Sequence, residues 1–548
     1  MFNDKVTRRV LLLTLALCLV AVPVAQARVE RTGRYLVTFQ SKRTARSTAL
    51  LADVLRDAGA RRAGSGVPEL GVATVKGPPQ AIAALRRDPA VKSVSVEYRR
   101  EFRRTPNDPG VGGQEPGTPG GTPRQWWLGR QAFPSAWDVT TGQGALVGVI
   151  DSGIDAGHPE LGGKIASGAE LGTSSGAGRD DNGHGTHVSG LACAGTNDGR
   201  GVAGAGWGCR IVMVKAPLLR DEDIADGIRI AVDRGAKAIN MSFGGGPGTA
   251  VLSQAIDYAV RRGVVLVAAA SNGPETNQGA PASELQPGDA PEIDAGRGLV
   301  VTGADFSDRN AETGRGPQVS VAAYGFFDGI YPYDGPVGLL STYPGNATER
   351  EAGIPLVSPP CGCRTSIDGD SRYARLEGTS MAAPQVTALA AMLAQLNPSL
   401  SVRERMRIIK ATARGRGRWE PLLGFGIINA GQAVDAARRV DHRAPESRLR
   451  ARRRARLRGA RRVRVRLRWR GKDLAGRSGL IASGVRSFDV YLKRRNGRYR
   501  RIKRRTGRRT LVVKLRPGRY RLYTRARDRA GNVERTPRRA DARIVVRR

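Results

Sequence analysis

The sequence predicts an α/β chain: a doubly wound parallel sheet preceded by a small α+β unit and followed by an arginine-rich β-sandwich. Three observations carry that prediction. Over 125–442, short strands apolar on both faces alternate with helical segments, as in a parallel sheet covered on both sides. Before that region, strand and helix spacings mix within fewer than 80 residues; after it, apolar and basic residues alternate with period two. At 548 residues and 40% hydrophobic, the chain has material for several cores.

The elements follow in order. Arg8 and Arg9 precede an apolar run over 10–22 and the small-residue site Ala25-Gln26-Ala27, so 1–27 reads as an export signal. The run is shorter than the ~20 residues a bilayer span needs and is broken by Pro23, so a secreted chain without a transmembrane anchor is expected. Residues 28–104 predict a β-α-β-α-β unit: strands at 35–39, 72–75 and 91–98, with helices at 47–58 and Pro79–Arg87. Residues 105–124, rich in Gly and Pro, read as a linker at the start of the mature chain's larger region.

In the 125–442 region the clearest strands are 145–150, 211–214, Ala238–Met241 and 264–268, with helices over 224–234 and 250–262 between them. The last module, 443–548, predicts an immunoglobulin-like sandwich with strands at 463–469, 488–492, 511–513 and 520–523. Asn496-Gly497, Thr506-Gly507 and Pro517-Gly518 supply its turns. Charge is concentrated there: 41 Lys and Arg face 6 Asp and Glu, a surplus of 35 out of the chain's net +41. Cys193, Cys209, Cys361 and Cys363 form an even set suited to two disulfides in an oxidising compartment. Of the three pairings, Cys193 with Cys209 is preferred; a zinc site lacks the usual spacing and a nearby histidine.

Three segments carry the chemistry. They are Val149-Ile150-Asp151-Ser152-Gly153, Asn182-Gly183-His184-Gly185-Thr186-His187, and Gly378-Thr379-Ser380-Met381-Ala382-Ala383-Pro384. A serine hydroxyl needs an imidazole to take its proton and a carboxylate to fix that imidazole's tautomer, and these segments supply one of each. The apolar spacing after Ser380 puts it at a helix N-terminus, with Pro384 expected in the first turn. Asn272, after the 264–268 strand, is an amide donor for a developing oxyanion. His187 has no metalloprotease motif around it and reads as structural.

In their Asp, His, Ser order these motifs resemble the subtilisin-like serine proteases, with Asn107-Asp108-Pro109, His158-Pro159-Glu160-Leu161 and Gly201-Val202-Ala203-Gly204 adding to the likeness. The resemblance implies a serine endopeptidase in which Asp151 orients, His184 is general base and acid, Ser380 is nucleophile and Asn272 completes the oxyanion hole. It further implies that Ser242-Phe243-Gly244 is an edge strand that binds substrate backbone, and that 28–104 is an inhibitory propeptide removed by autocleavage. Gln385 stands where the family commonly has histidine and Ser271 where it has glycine, while the 277–295 insert falls near the expected substrate pockets.

No cofactor is required by this chemistry and no metal ligand is assigned. Structural calcium is an option at Asp108 and the 196–199 loop, residues that serve equally as turn formers. The expected partners are protein or peptide substrates, the chain's own propeptide and, for the basic module, anionic cell-wall polymer without specific nucleic-acid recognition. The alternative is a non-catalytic binding protein on the same scaffold.

Overall fold

Residues that are apolar on both faces form short buried strands, and here six of them assemble into one parallel sheet that the half-buried edge strand Ile165–Glu170 completes as a seventh. Its order is Val321–Tyr324, Leu299–Ala304, Val265–Ala269, Ala238–Met241, Leu146–Asp151, Arg210–Lys215, Ile165–Glu170. The computed structural model describes residues 30–548 except 42–43, 45–46, 100–104, 116–117, 119–120, 173, 287, 289–290, 328–337, 354–359, 458 and 475–479. The expected export signal lies outside the described residues, among which no helix is long and apolar enough to cross a membrane.

Alternation along each strand sends side chains to two separate cores. Val147, Val149, Ile211 and Met213 enter the larger one, with Trp127, Trp137 and the helix Thr379–Leu396. Ile150, Val212 and Val214 enter the other, beneath the helices Asp221–Asp233 and Ala250–Arg261. On that face Gly148 lets the helix close in: a Cβ there would lie 3.0 Å from the Ala231 methyl and 2.9 Å from Ile239. The doubly wound sheet expected from sequence is present. A three-stranded antiparallel sheet, Leu339–Thr342, Asp370–Leu376 and Arg364–Ile367, was not anticipated, because its strands are short and two of them polar.

The 105–124 segment is not a free tether among its described residues. Asp108 is fully buried, Gly110 N donates to Gly201 O at 2.7 Å, and Glu115 pairs with Arg375 at 2.5 Å. Its glycines let polar backbone approach closely enough for hydrogen bonds to replace the side-chain core it lacks.

Contacts divide the chain into two units, 1–103 and 104–548. In the first, strands Glu30–Phe39, Arg61–Arg62, Val72–Lys76 and Val91–Arg99 form an antiparallel sheet, with Val37, Phe39, Leu51, Leu55, Ile82 and Leu85 as core. The two-residue strand Arg61–Arg62 adds to the expected pattern; it is exposed and too short for a periodic signal.

The C-terminal module is a sandwich of a three-stranded and a five-stranded sheet. Val465, Leu467 and Trp469 of Val463–Lys472 point into a core with Phe488, Val490 and Leu522, while Arg464, Arg466, Arg468 and Arg470 point outward. Pairing places Arg468 opposite Arg450, Arg470 opposite Arg448, and Arg464 opposite Lys514. Like charges directly across a ladder repel, so this face is built against its own stability. Asp441 joins the module to the preceding region by accepting from Ser483 N at 2.8 Å.

Candidate active site

Three adjacent strands deliver three polar residues at their carboxyl ends, the edge where open α/β sheets bind ligands. Asp151 closes Leu146–Asp151, Ser242 follows Ala238–Met241, and Asn272 comes shortly after Val265–Ala269. Two helices add the rest: His184 is the first residue of His184–Cys193, and Ser380 the second of Thr379–Leu396.

The buried Asp151 Oδ1 lies 2.8 Å from His184 Nδ1 and also accepts from Ser152 N at 2.8 Å. Gly183 precedes the histidine with φ 91°, and a Cβ there would strike the Tyr343 ring, so this tight entry demands glycine. Asp180 anchors the same entry. Fully buried, it accepts from Ser152 Oγ, Gly183 N, Thr186 N and Thr186 Oγ1 at 2.7–2.9 Å. Sequence reasoning missed Asp180; its signal was an acid placed four residues ahead of a helix, where free N–H groups need an acceptor.

His187, one helical turn beyond His184, is fully buried with Nε2 on the carbonyls of Leu339 and Ala374 at 3.0 and 3.2 Å. Burial pushes its imidazole down to about 3, so it stays neutral and ties the helix to the small antiparallel sheet.

Ser380 does not bond His184 among the described contacts. Its Oγ donates to Ser242 O at 3.1 Å, and Ser242 Oγ donates back to Ser380 O at 2.8 Å. That carbonyl is free because of Pro384, which lies inside the helix at its sixth residue and not in the first turn as expected. Proline has no N–H to return to the carbonyl four residues earlier, so Ser242 takes the place of the missing donor. Behind the pair, Thr387 Oγ1 donates to Asn240 Oδ1 at 3.0 Å and Asn240 Nδ2 to Ser242 Oγ at 2.8 Å, all buried.

Asn272 is oriented by its neighbour: Oδ1 accepts from Thr379 N at 2.9 Å and Thr379 Oγ1 at 2.8 Å, which leaves Nδ2 to face outward. Ser242, Phe243 and Gly244 lie past the end of their strand, and neither Phe243 nor Gly244 makes a backbone hydrogen bond with another described residue. Between this segment and 269–272 runs a cleft of about 600 Å³ that reaches Ser380. Asn277, Gln278 and Gly279 bring the insert into its wall. Gln385, in the place of the common histidine, is fully buried and donates to Tyr324 O at 2.6 Å. The cysteines pair as Cys193–Cys209 and Cys361–Cys363.

Away from the cleft, Glu160 is buried with Oε2 lacking any hydrogen-bond partner. Burial, with the Asp198 and Asp108 carboxylates nearby, pushes its carboxyl up to about 8. A Cβ on Gly195 would lie 3.0 Å from Glu160 Oε2 and 3.3 Å from Asp198 Oδ2, so the two acids converge there. Glu160 Oε2 is the uncompensated oxygen of this group, since the Asp108 carboxylate accepts from Asn197 N and Asp198 N and Asp198 Oδ1 from Arg200 N; one orphaned buried oxygen beside a second carboxylate is where a hard cation would add a partner.

The subtilase (peptidase S8) family profile matches residues 142–426. Thermitase of Thermoactinomyces vulgaris is 32% identical over 338 residues, 60% of this chain and 99% of its own. A thermophilic serine proteinase of Bacillus sp. strain AK1 is 33% identical over 362 residues, 64% of this chain and 75% of its own. Subtilisin BL of Lederbergia lenta is 31% identical over 315 residues, 56% and 98% respectively.

Proposed function

The chain belongs to the subtilase family and is a subtilisin-like serine endopeptidase; from that premise we propose that Asp151, His184 and Ser380 are its catalytic triad. The observation that carries the assignment is the 2.8 Å bond from the buried Asp151 carboxylate to His184 Nδ1. It fixes the tautomer whose Nε2 accepts a proton. Ser380 Oγ leaves the Ser242 carbonyl, gives its proton to Nε2 and attacks the peptide carbonyl carbon. The oxyanion meets Asn272 Nδ2 and the Ser380 N–H at the start of its helix, since Thr379 N is already held by Asn272 Oδ1 and Met381 N by Gly378 O. His184 returns the proton to the leaving amine, and water then hydrolyses the acyl-enzyme by the reverse proton path. Protonated imidazole cannot begin this sequence, so turnover should be lost in acid. Substrate backbone pairs with the unclaimed groups of Phe243 and Gly244.

We further infer that the 28–104 unit is a propeptide that inhibits the enzyme until autocleavage between Arg99 and Asn107, and that the mature chain acts outside the cell. N-terminal sequencing of secreted wild-type and Ser380→Ala protein tests both ideas. Distinct N-termini are expected, and identical ones would remove self-processing.

Glu160, Asp108 and Asp198 are the proposed holders of a structural calcium, which would neutralise the buried Glu160 and pin the 194–199 loop. Added calcium should raise the melting temperature of Ser380→Ala protein and should do so less in Glu160→Gln; no shift with calcium or chelator would dismiss the site.

For the sandwich we propose retention on an anionic cell-wall polymer. Support comes from the opposed Arg and Lys pairs and from a second cavity, lined by Arg486, Arg505 and Arg527. The alternative of a non-catalytic scaffold has no observation in its favour.

A further inference from the structure

The cleft beside Ser380 contains an acid that the triad does not use. Glu275 lines it with Phe243, Gly244, Ala270, Ser271 and Asn272. Its exposed carboxylate accepts from Ser271 Oγ, which itself accepts from Gly273 N at 3.1 Å. Its carbonyl is held by Gln278 Nε2 at 2.7 Å and Arg315 N at 2.9 Å, so the residue stands on a braced loop. The Ser271 hydroxyl keeps the carboxyl below its ordinary range, and the group is ionised wherever an imidazole base is active.

No Lys or Arg lines the cleft, and no cation pairs with Glu275 among the described residues. Three other glutamates of this region are paired from within: Glu284 with Arg297 at 2.5 Å, Glu351 with Arg364 at 2.5 Å and Glu115 with Arg375 at 2.5 Å. Among the described residues that line the cleft, Glu275 is the one charged side chain.

We propose that Glu275, positioned by Ser271, makes this enzyme select lysine or arginine immediately before the bond it cleaves. The inference rests on the reading of Ser380 as nucleophile and deepens it. A cleft of about 600 Å³ admits a long side chain. The methylene stem lies along apolar wall such as Phe243 and Ala270 while the charged tip meets the carboxylate. The chain's own sequence agrees: Arg99-Arg100 and Arg103-Arg104 stand in the stretch assigned to autocleavage, and Thr105 follows directly.

The test is kcat/KM on peptides alike except for Arg, Lys, Phe or Glu before the scissile bond, using wild type, Glu275→Gln, Glu275→Lys and Ser271→Gly. A fluorophosphonate titrant counts competent sites in each preparation, so that misfolding is not read as altered preference. Wild type should favour Arg and Lys over Phe, and Glu275→Gln should lower the Arg:Phe ratio about tenfold, the scale of one opposite charge met at a partly solvated wall. Glu275→Lys should turn the preference toward Glu, and Ser271→Gly should narrow the ratio less than Glu275→Gln does. A wild-type preference for Phe, or a ratio unmoved in titrated Glu275→Gln, overturns the inference and leaves the protease reading intact. Absence of both labelling and turnover on every peptide would instead sink the protease reading, and the inference with it.

Discussion

The catalytic region and the sandwich draw on the same arginine-rich composition and use it in opposite ways. In the first, cations are spent internally. Arg130 and Arg414 share Asp308, Arg297 reaches Glu284 and Asp257, and Lys410 and Arg405 are buried on backbone carbonyls. In the sandwich, the arginines of Val463–Lys472 face water, with basic residues opposite three of them. Cations consumed by a fold stabilise it or fix its geometry. Cations stacked against one another do neither, and this contrast is what the proposed anionic partner rests on.

The largest effect that sharpens this comparison lies in the catalytic region. Asn272→Ala removes an oxyanion donor without touching the triad, and kcat should fall about 10²–10³-fold with little change in KM. Steady-state kinetics on one peptide decides it; a loss confined to KM would recast Asn272 as a binding residue.

Next comes Lys410, fully buried, with its ammonium on Ala295 O at 2.8 Å; burial pushes its pKa down to about 8. The folded value lies below the unfolded one, so the lysine contributes most favourably above the unfolded pKa, and stability is lost as pH falls from there through about 8. The stability of Ser380→Ala protein relative to its Lys410→Met derivative should therefore improve by about 3 kcal/mol between pH 7 and pH 11, measured by denaturant titration. A pH-independent difference would mean that the ammonium is solvated.

The smallest effect on turnover is expected from the sandwich. Changing Arg464, Arg466, Arg468 and Arg470 to serine should leave kcat/KM on short peptides within about twofold, since surface changes away from a site do little. The same variant, in a Ser380→Ala background, should lose co-sedimentation with purified cell walls, while its parent releases progressively from ~50 to ~500 mM salt. Equal pelleting of the two proteins would erase the contrast drawn here.

Much of this was legible in the sequence where periodicity is strong. The unbroken apolar runs that hold Val147, Val149, Ile211 and Met213 mark strands buried on both faces, and the outward arginines of Val463–Lys472 follow from period two alone. Asp151, His184 and Ser380 stood out because nucleophile chemistry needs those three groups, each at the end of a strand or start of a helix. Pro384 was misplaced because sequence reveals a missing N–H but not the Ser242 hydroxyl that compensates for it 138 residues away. Glu275 and Glu160 went unassigned for a related reason. What sets each apart among the described residues is a missing partner, an ion pair for Glu275 and a hydrogen-bond donor on Oε2 for Glu160, and absence in space leaves no local pattern.

The most direct test of the account is the rate and site of fluorophosphonate labelling in wild type, Asp151→Asn and Ser380→Ala, with the adduct mapped by peptide mass spectrometry. The account predicts a single adduct on Ser380 in wild type, none in Ser380→Ala, and labelling slowed by about 10⁴-fold in a folded Asp151→Asn protein, where His184 takes the wrong tautomer. An adduct on another residue, or Asp151→Asn labelled at more than about a tenth of the wild-type rate, would contradict it.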